Sequence, residues 1–373
     1  MNLADIDSNF KNQTVTDPDV KWVDVKKSMF TVYGAEWYEN ENRYRRVPYE
    51  VSGGISTNLD ILSTMVSGAR ITFQTDSPYI AIKGAISYTG FTGQTTIFNR
   101  YGFAIYDGKR YSGTICPEKV EIPADGTIAP AQGVAYDIPD MIFDGMKPFY
   151  NKTGMRKVTI YMPLTCGVSA LYIGVKKGSK IRKYQPYKKI DPIVFYGSSI
   201  TQGCCASRPG LDYIGLLTKW LNVDTYNLGF GGNAFGEKAM AEYMASRPAS
   251  VYVMDYDHNA KTPEKLRETH YPFYKVLRDK HPETPILFIT RPSVEYFQPA
   301  EVEERKQIVL ETFERAKKEG DKNVWFIDGA TLYGKVDRDV CCADTAHPTD
   351  IGFYRMAKTI YPVLKEILKT IKK

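Results

Sequence analysis

Two patterns of apolar and polar positions divide this chain. Between Trp22 and about Lys183, short apolar runs alternate with polar residues at period two and are separated by turn residues, as in residues 69–74, 102–106 and 157–162. Such alternation is typical of strands that bury one face, and turns at near-regular spacing are typical of two packed antiparallel sheets. The first half of the chain therefore predicts an antiparallel, jelly-roll-like β-sandwich with few segments able to form a long helix.

After Pro192 the pattern changes to apolar runs that alternate with amphipathic stretches. The runs are residues 193–196, 224–228, 251–254, 286–289 and 324–327, and the helical stretches are about 211–221, 236–246, 262–280, 299–319 and 349–370. Five β-α units predict a five-stranded parallel sheet with helices on both faces. We therefore expect a flexible leader over 1–20, a sandwich domain over 21–187 and a three-layer α/β/α domain over 188–373.

Charge and composition exclude several classes of protein. The 49 basic and 43 acidic residues give a net charge of +6 and are scattered, so no Lys/Arg block indicates a nucleic-acid partner. No apolar stretch approaches the ~18 residues of a membrane span. Acidic residues occupy the first positions, where a secretory signal is basic. We expect a cytoplasmic protein without a membrane partner, and homo-oligomerisation stays open.

The six cysteines show no C-x-x-C spacing, and adjacent cysteines make poor disulfide or zinc frameworks. We expect free thiols at Cys116, Cys166, Cys204, Cys205, Cys341 and Cys342. The two adjacent pairs could make an activity redox-sensitive, but packing as small apolar residues is the simpler explanation.

A candidate nucleophile follows the first run of the second half. Residues 193–196 end at Gly197, and Ser198 and Ser199 come next. In an open α/β sheet, ligands bind beyond the carboxyl ends of the parallel strands. Ser199 would therefore project where chemistry is normally found. A Gly-Ser-Ser turn is common by itself, so the later segments decide its interpretation.

Three later segments also follow predicted strands. They are Asn-Leu-Gly-Phe-Gly-Gly-Asn at 227–233, Asp-Tyr-Asp-His-Asn at 255–259 and Asp-Thr-Ala-His at 344–347. A doubly wound sheet brings such loops to one edge even when they are distant in sequence. The candidate site is therefore made by the fold and not by neighbouring positions in the chain.

A serine hydroxyl becomes nucleophilic when a base removes its proton, and that base needs an acceptor that fixes its tautomer. His347 and Asp344 are three residues apart in a segment that Pro348 closes, so both side chains can point into one loop. His347 is the best base among the four histidines. The others read more simply as a helix packing or surface residue, a helix cap and a rim residue: His270, His281 and His258.

The tetrahedral intermediate of acyl transfer carries an oxyanion, which needs preset hydrogen-bond donors. Gly231 and Gly232 offer a backbone N–H that no side chain obstructs, Asn259 offers a side-chain amide, and Ser199 offers its own N–H. The alternatives are that the glycines form only a tight turn and that Asn259 only caps the helix beginning near Thr262.

Together these segments resemble the four ordered blocks of the SGNH, or GDSL-type, hydrolases. The matching stretches are Gly-Ser-Ser-Ile-Thr-Gln-Gly (197–203), Asn-Leu-Gly-Phe-Gly-Gly-Asn (227–233), the Asn of Asp-Tyr-Asp-His-Asn (255–259) and Asp-Thr-Ala-His-Pro (344–348). The resemblance implies a flavodoxin-like domain and a serine esterase. It also implies that Ser199 is the nucleophile, His347 the base and Asp344 the acid that orients the base. The oxyanion donors would be Ser199, Gly232 and Asn259.

The resemblance extends upstream. Gly102-Phe-Ala-Ile-Tyr106 is similar to the G-x-D-L-Y signature of a β-rich domain that precedes some SGNH domains, and residues 161–175 are similar to its closing strands. Three positions depart from these patterns. Ser198 replaces the acid of Gly-Asp-Ser and is an alternative nucleophile, the block containing Asn259 lacks the usual Gly-x-Asn-Asp, and Ala104 replaces the Asp of the signature.

The resemblance implies hydrolysis of a small acyl ester without a metal or cofactor. Members of this superfamily include carbohydrate deacetylases, and an attached sandwich is compatible with sugar recognition. We therefore expect the removal of O-acetyl groups from carbohydrates. Because we expect a cytoplasmic protein, imported oligosaccharides are the expected substrate. An esterase or lipase acting on other small acyl esters is the main alternative.

Two further classes compete. Gly229-x-Gly231-x-x-Ala234 after a strand, with Asp255 about twenty residues on, matches the dinucleotide fingerprint of an NAD-dependent dehydrogenase. This loop follows the second strand of its domain instead of the first, and Ser199 and His347 would then have no role. The other class is a sugar-binding protein with an inactive triad, and the presence of all three triad residues argues against it.

Overall fold

The computed structural model describes residues 15–87, 93–117, 140–151, 153–292 and 299–371. Within these ranges the first half contains β1 Val20–Asp24, β2 Thr31–Tyr33, β3 Glu36–Tyr38, β4 Arg43–Arg45, α1 Tyr49–Ile55, α2 Thr57–Thr64, β5 Arg70–Thr75, β6 Tyr79–Ile86, α3 Ile97–Tyr101, β7 Phe103–Asp107, β8 Arg110–Ile115, β9 Met141–Pro148, β10 Arg156–Tyr161, β11 Val168–Lys176 and β12 Ile181–Lys183. The predicted leader falls mostly on residues 1–14, which lie outside the described residues.

Among the described residues, the N-terminal half contains two large antiparallel sheets and the two-stranded sheet β3-β4. One has the order β1-β11-β6-β9, and the other has the order β12-β5-β10-β7-β8, with β2 also paired to β5. Strand β10 shows the period-two alternation, because Val158 and Ile160 are buried whereas Lys157 is exposed. The inner faces of the two sheets share one hydrophobic core. The predicted antiparallel sandwich is confirmed.

The second half contains β13 Ile193–Gly197, α4 Ser199–Gln202, α5 Tyr213–Leu221, β14 Thr225–Gly229, α6 Lys238–Ser246, β15 Val251–Asp255, α7 Pro263–Lys280, β16 Ile286–Ile289, α8 Pro299–Lys318, β17 Val324–Ile327 and α9 Asp350–Thr370. Its sheet has the order β14-β13-β15-β16-β17, and every pair is parallel. Hydrophobic clusters cover both faces of this sheet. The predicted flavodoxin-like three-layer fold is confirmed.

The amphipathic pattern of each long helix explains its place on the sheet. In α9, Phe353, Met356, Ile360 and Leu364 recur at helical spacing and are buried, and Thr349 caps the helix by accepting the N–H of Gly352. All five strands run in the same direction, so their carboxyl ends meet at one edge. The loops that follow β13, β14, β15 and β16 and the segment before α9 gather there.

The two halves share part of their core. Val47, Leu59, Leu62 and Met65, from β4 to the end of α2, lie in the same hydrophobic cluster as Leu228 of the parallel sheet. Short helices were not expected in the sandwich. Their segment includes Gly53 and Gly54 and lacks a long apolar period, so the sequence pattern carried little helical signal there.

Strand β12 ends at Lys183 and strand β13 begins at Ile193, with the connecting segment between them. Among the described residues, no helix is long and apolar enough to cross a membrane.

Candidate active site

The turn after β13 sets the position of Ser199. Gly197 has no room for a side chain, because a Cβ would collide with the Thr201 hydroxyl and the Asp255 carbonyl. Ser198 is fully buried, and its Oγ accepts the Ile200 N–H at 3.1 Å as the cap of α4. Ser199 is therefore the first helical residue and the half-exposed member of the serine pair.

Three side chains stand in line at the edge of the sheet. Ser199 Oγ lies 2.9 Å from His347 Nε2, and His347 Nδ1 lies 2.7 Å from Asp344 Oδ2. Because the carboxylate accepts the Nδ1–H, Nε2 is left as the acceptor for the serine hydroxyl. The structure thus brings together the sequence-predicted nucleophile, base and orienting acid, whereas Ser198 is engaged as a helix cap.

The loop that carries Asp344 and His347 is held by its own backbone. The other oxygen of Asp344 accepts the N–H of Ala346 at 3.1 Å and that of His347 at 2.7 Å, and Thr345 between them has a φ of 69°. Burial raises the pKa of Asp344, but these N–H groups and the imidazole outweigh it, so the pKa lies below its ordinary value. Asp344 is therefore ionised beside the imidazole at neutral pH.

The glycine loop after β14 faces the nucleophile. A Cβ on Gly231 would lie 3.4 Å from the Cβ of Ser199, so the glycine loop passes within van der Waals distance of the nucleophile's side chain. Gly232 has a φ of 66°, in the left-handed region. Within the part of the chain that the structure describes, the backbone N–H groups of Ser199 and Gly232 have no protein acceptor. They are available as donors beside the serine hydroxyl.

Asn259 ties the third loop to the glycine loop. Its Nδ2 donates to the carbonyl of Phe230 at 3.0 Å, and Phe230 N–H in turn donates to Gly197 O at 2.8 Å. A side-chain amide nitrogen has two N–H donors, so the second remains for a ligand. Its position beside the loop gives Asn259 a structural role and leaves one donor free.

Gln202 connects the glycine loop with the sandwich. Its Oε1 accepts the N–H of Gly231 at 2.9 Å, and its Nε2 lies 3.2 Å from Met65 Sδ and 3.5 Å from the Leu164 carbonyl. Gly229 also packs so closely on the Gln202 backbone that a Cβ would collide with it. Met65 and Leu164 belong to the N-terminal half, so both halves of the chain shape this loop.

Arg46 is a buried guanidinium at the end of β14 that the sequence pattern did not single out. It donates at 2.6–2.8 Å to four carbonyl oxygens, those of Leu62, Met65, Asn227 and Gly229. The guanidinium carbon of Arg46, Cζ, lies 4.6 Å from the centre of the Phe230 ring. Burial lowers the pKa of Arg46 to about 9, and no carboxylate among the described residues pairs with it.

Asp255, at the end of β15, is a second buried ionisable group beneath the nucleophile. Its Oδ2 accepts the hydroxyls of Tyr213 at 2.8 Å and of Thr201 at 3.0 Å. Burial raises the pKa of Asp255 to about 8. The carboxyl is therefore neutral at neutral pH, and it supports the residues of α4 from below.

The loop after β16 supplies Arg291, which was also not predicted. Its backbone N–H donates to both carboxylate oxygens of Asp257, at 3.2 and 3.0 Å, and Nη2 lies 3.4 Å from the Thr345 carbonyl. His258 Nδ1 lies 3.2 Å from Asp257. Burial lowers the pKa of His258 below its ordinary value, with Arg291 and His347 acting in the same direction. Thus His258 is neutral at neutral pH and is held by Asp257.

The other two histidines take part in packing. His270 is buried, its Nδ1 lies 2.9 Å from Thr312 Oγ1, and burial lowers its pKa to about 4. His281 caps α7 and its Nε2 lies 2.7 Å from the Ala245 carbonyl. Neither reaches the site.

All six cysteines are free. Cys204 Sγ and Cys205 Sγ are 3.9 Å apart, just beyond α4. The hydrogen bond from the Cys205 thiol lowers the pKa of Cys204 to about 7, and His347 acts in the same direction. Cys341 is buried, and Cys342 lies 3.6 Å from the Tyr333 hydroxyl.

The geometry disagrees with a dinucleotide site in the glycine loop. Helix α6 begins at Lys238, several residues beyond Ala234, so the loop does not open directly into a helix. Asp255 is buried, and its carboxyl is occupied by Tyr213 and Thr201, so it cannot reach a ribose. Among the described residues, no cluster of His, Cys, Asp or Glu could hold a metal ion.

The chain matches two known families along most of its length. Residues 190–365 match the GDSL-like lipase/acylhydrolase family, and residues 20–181 match the N-terminus of SGNH-hydrolase-type esterases. No curated protein shows significant sequence similarity to the chain.

Several solved structures share the fold. A candidate GDSL-like lipase from Bacteroides ovatus ATCC 8483 is 28% identical with a TM-score of 0.80, covering 94% of this chain and 98% of its own. The salicylyl-acyltransferase SsfX3 of a tetracycline biosynthetic pathway is 16% identical with a TM-score of 0.74 and the same coverage of 94% and 98%. An acetyl xylan esterase, Est2A, from the rumen bacterium Butyrivibrio proteoclasticus is 12% identical with a TM-score of 0.59, covering 94% and 99%.

The last two likenesses concern the fold alone, because so little of the sequence is shared. The two family matches cover the sandwich and the parallel-sheet half in turn, with the serine turn and the Asp-His loop inside the second match. The chain is therefore an SGNH-type carboxylic ester hydrolase, whose second half is a GDSL-like lipase/acylhydrolase domain and whose first half is the N-terminal domain of this esterase class.

Proposed function

We propose that the protein removes O-acetyl groups from oligosaccharides through Ser199, His347 and Asp344. The observation that carries this proposal is the line of two hydrogen bonds, 2.9 Å from Ser199 Oγ to His347 Nε2 and 2.7 Å from His347 Nδ1 to Asp344. An imidazole held in this tautomer can take the serine proton as the nucleophile attacks.

In the first half of the reaction, Ser199 Oγ forms a bond to the acetyl carbon while its proton moves to His347 Nε2. The electron pair of the carbonyl moves onto its oxygen, and the N–H groups of Ser199 and Gly232 with the amide of Asn259 stabilise this oxyanion. The intermediate then expels the sugar oxygen, which takes the proton from Nε2. The products are an acetylated Ser199 and a free sugar hydroxyl.

In the second half, water attacks the acetyl-serine and gives its proton to His347 Nε2. The second tetrahedral intermediate uses the same donors, and its collapse returns the proton to Ser199 Oγ and releases acetate. Asp344, whose pKa lies below its ordinary value, stays ionised and stabilises the imidazolium in both halves.

The carbohydrate substrate is supported by the fold of the structural neighbours. Besides the acetyl xylan esterase, they include a family two carbohydrate esterase from Cellvibrio japonicus, which is 12% identical with a TM-score of 0.61, covering 94% of this chain and 98% of its own. These enzymes share both halves of the architecture. Together with the expected cytoplasmic address, this supports imported, partly degraded oligosaccharides as the substrate.

The test uses Ser199→Ala beside Ser198→Ala. Initial rates on acetylated xylo-oligosaccharides and on p-nitrophenyl acetate should fall at least about 10⁴-fold for the first variant. Ser198→Ala removes a helix cap and should cost about 1 kcal/mol of stability while activity stays. The proposal fails if Ser199→Ala retains substantial activity, or if Ser198→Ala is the inactive variant.

Substrate choice has its own readout. We expect kcat/KM for acetylated xylo-oligosaccharides to exceed that for p-nitrophenyl acetate, and no turnover of p-nitrophenyl palmitate. Preference for the long acyl chain, or equal rates on acetylated sugar and simple acetate esters, would reject the carbohydrate assignment while leaving the esterase intact.

A further inference from the structure

A cavity opens between the two halves of the chain, far from Ser199. This junction cavity has a volume of about 760 Å³ and is lined by strands β7 and β10, the turn after β7, the segment after β12, the end of α5 and the middle of α9. Thr218, in its wall, lies 2.7 Å from Thr225 at the start of β14. The start of β14 pairs with Ile193 and its end with Gly197, so roughly 13 Å of strand separates this cavity from the catalytic edge.

Aromatic side chains from both halves make up much of the wall: Tyr106, Tyr161, Tyr184, Tyr187, Trp220 and Tyr361. Tyr106 and Tyr161 come from the sandwich, whereas Trp220 and Tyr361 come from the helices of the parallel-sheet domain. Tyr106 and Tyr161 are buried, whereas the other four rings are partly exposed and can offer flat apolar faces to the C–H surface of a pyranose. The cavity volume lies within the usual range of small-molecule sites.

The charge of this cavity has one sign. Its lining includes Lys109, Lys157 and Lys219, and none of the described lining residues is an aspartate or glutamate. Lys219 Nζ donates to Gly210 O at 2.7 Å, and Lys157 Nζ lies 5.4 Å from the Tyr184 ring centre. Neither Lys219 nor Lys157 forms an ion pair within the described part of the chain.

Three carboxylates beside the cavity have other partners. Asp224 pairs with Arg70, and Asp107 lies 3.6 Å from Arg156. Asp212 accepts the N–H of Gly215 at 2.8 Å and of Gly210 at 3.3 Å; burial raises its pKa, and Lys219 acts in the opposite direction.

Lys219 Nζ is already engaged by the Gly210 carbonyl and, at 3.3 Å, by the Tyr106 hydroxyl. The exposed ammonium groups of Lys109 and Lys157 form no ion pair among the described residues and are available to an anionic ligand. A neutral sugar would leave them unpaired, whereas a carboxylate on the sugar would bond them.

We infer that the junction cavity is a non-catalytic binding site for an acidic saccharide, an oligosaccharide of uronic acid residues. The choice of a saccharide rests on the proposed function, and the choice of an acidic one rests on the lysines. Such a site would hold one part of a glycan while another part of the same or a neighbouring chain reaches Ser199.

The test is isothermal titration of the full chain with trigalacturonate and with neutral xylotriose. We expect trigalacturonate to bind and xylotriose to bind at least about tenfold more weakly. The double variant Lys109→Gln with Lys157→Gln, at two exposed positions, should weaken trigalacturonate binding by a similar factor. It should leave kcat on p-nitrophenyl acetate unchanged, since neither lysine touches the catalytic edge.

Five outcomes would overturn the inference, the first four of which concern trigalacturonate binding itself. These four are no heat with trigalacturonate up to about 10 mM, equal binding of xylotriose, binding that the double variant leaves unchanged, and binding lost when phenylmethylsulfonyl fluoride blocks Ser199. Displacement of trigalacturonate by an equal concentration of inorganic phosphate would also reject a saccharide site in favour of a general anion site. The esterase assays do not depend on any of these results, so failure here leaves the proposed function standing.

Discussion

The two ends of strand β14 are each held by an arginine from the N-terminal half, and they differ in electrostatics. At the start of the strand, the side chain of Arg70 pairs with Asp224 and bonds the Tyr187 hydroxyl at 2.9 Å. At the catalytic end, Arg46 bonds only carbonyl oxygens among the described residues. A carboxylate therefore offsets the free-energy cost of burying Arg70, whereas no carboxylate among the described residues offsets the cost of burying Arg46.

The pKa directions express this difference. Burial alone would lower the pKa of both arginines, but the hydroxyl of Tyr187 and the carboxylate of Asp224 raise that of Arg70 above its ordinary value. That of Arg46 falls to about 9. Asp255, also at the catalytic end, has no cationic partner within the described ranges either. The comparison indicates that the non-catalytic end is built for stability, whereas the catalytic end accepts unpaired buried groups to fix the shape of its loops.

The largest expected effect concerns stability at the non-catalytic end. Arg70→Ala should lower the free energy of unfolding by about 3–5 kcal/mol, because it leaves the largely buried carboxylate of Asp224 unpaired. Urea unfolding measures this loss. At a temperature where the variant is folded, kcat should match that of the parent. Arg70→Ala with Asp224→Asn should recover part of the stability, and a large fall in kcat would break the comparison.

The next effect concerns rate at the catalytic end. Arg46→Lys should lower kcat on p-nitrophenyl acetate about 100-fold with little change in KM, because an ammonium cannot bond the Asn227 and Gly229 carbonyls in the same geometry and the oxyanion donors shift. Steady-state kinetics below the melting temperature measures it.

The control for Arg46 is chemical rescue. Added guanidinium at non-denaturing concentration should restore part of kcat to Arg46→Ala and leave Arg70→Ala unaffected. A variant that loses stability but keeps the parent kcat would show that Arg46 serves the fold alone.

The third effect is a pH dependence from Asp255. Its folded pKa, about 8, lies above its ordinary value. Between these values the folded state keeps a proton that the unfolded state has lost. Stability should therefore fall by up to about 1.4 kcal/mol per pH unit across this window. Asp255→Asn removes this dependence, so its melting temperature should rise relative to the parent from about pH 5 to about pH 8. Parallel profiles for the two proteins would refute the assignment.

The smallest effect sharpens the non-catalytic end. Tyr187→Phe removes one hydrogen bond to Arg70 beside an open cavity where water can replace it, so we expect a loss of about 1 kcal/mol in unfolding free energy. Activity should not change. A larger loss in kcat than in stability would mean that this end also shapes the catalytic loops.

The sequence predicted the parallel sheet closely, because its strands are continuous apolar runs and its helices carry strong amphipathic periods. It also pointed to Ser199, Asp344 and His347, which the structure brings into contact. Each of these residues could be recognised from its own sequence segment, and only their contact with one another depends on the fold. The catalytic roles of these residues, and the domain limits, remain predictions for experiment.

Arg46 and Arg291 are two residues of the site that the sequence analysis missed, for different reasons. Arg46 stands in a run of charged residues that is typical of a solvated surface, yet it is buried because the parallel-sheet domain covers it. The partners of Arg46 are backbone carbonyls, and a pattern of side chains in the sequence does not predict such contacts. The position of Arg291 after a strand end was a usable signal, since functional residues gather beyond the carboxyl ends of such strands.

Covalent labelling tests the central claim most directly. Treating the protein with a fluorophosphonate and mapping the modified peptide should place one label on Ser199, with activity lost in proportion to labelling and with no labelling in His347→Ala. A label on Ser198 or elsewhere, or turnover that survives complete labelling of Ser199, would contradict the account.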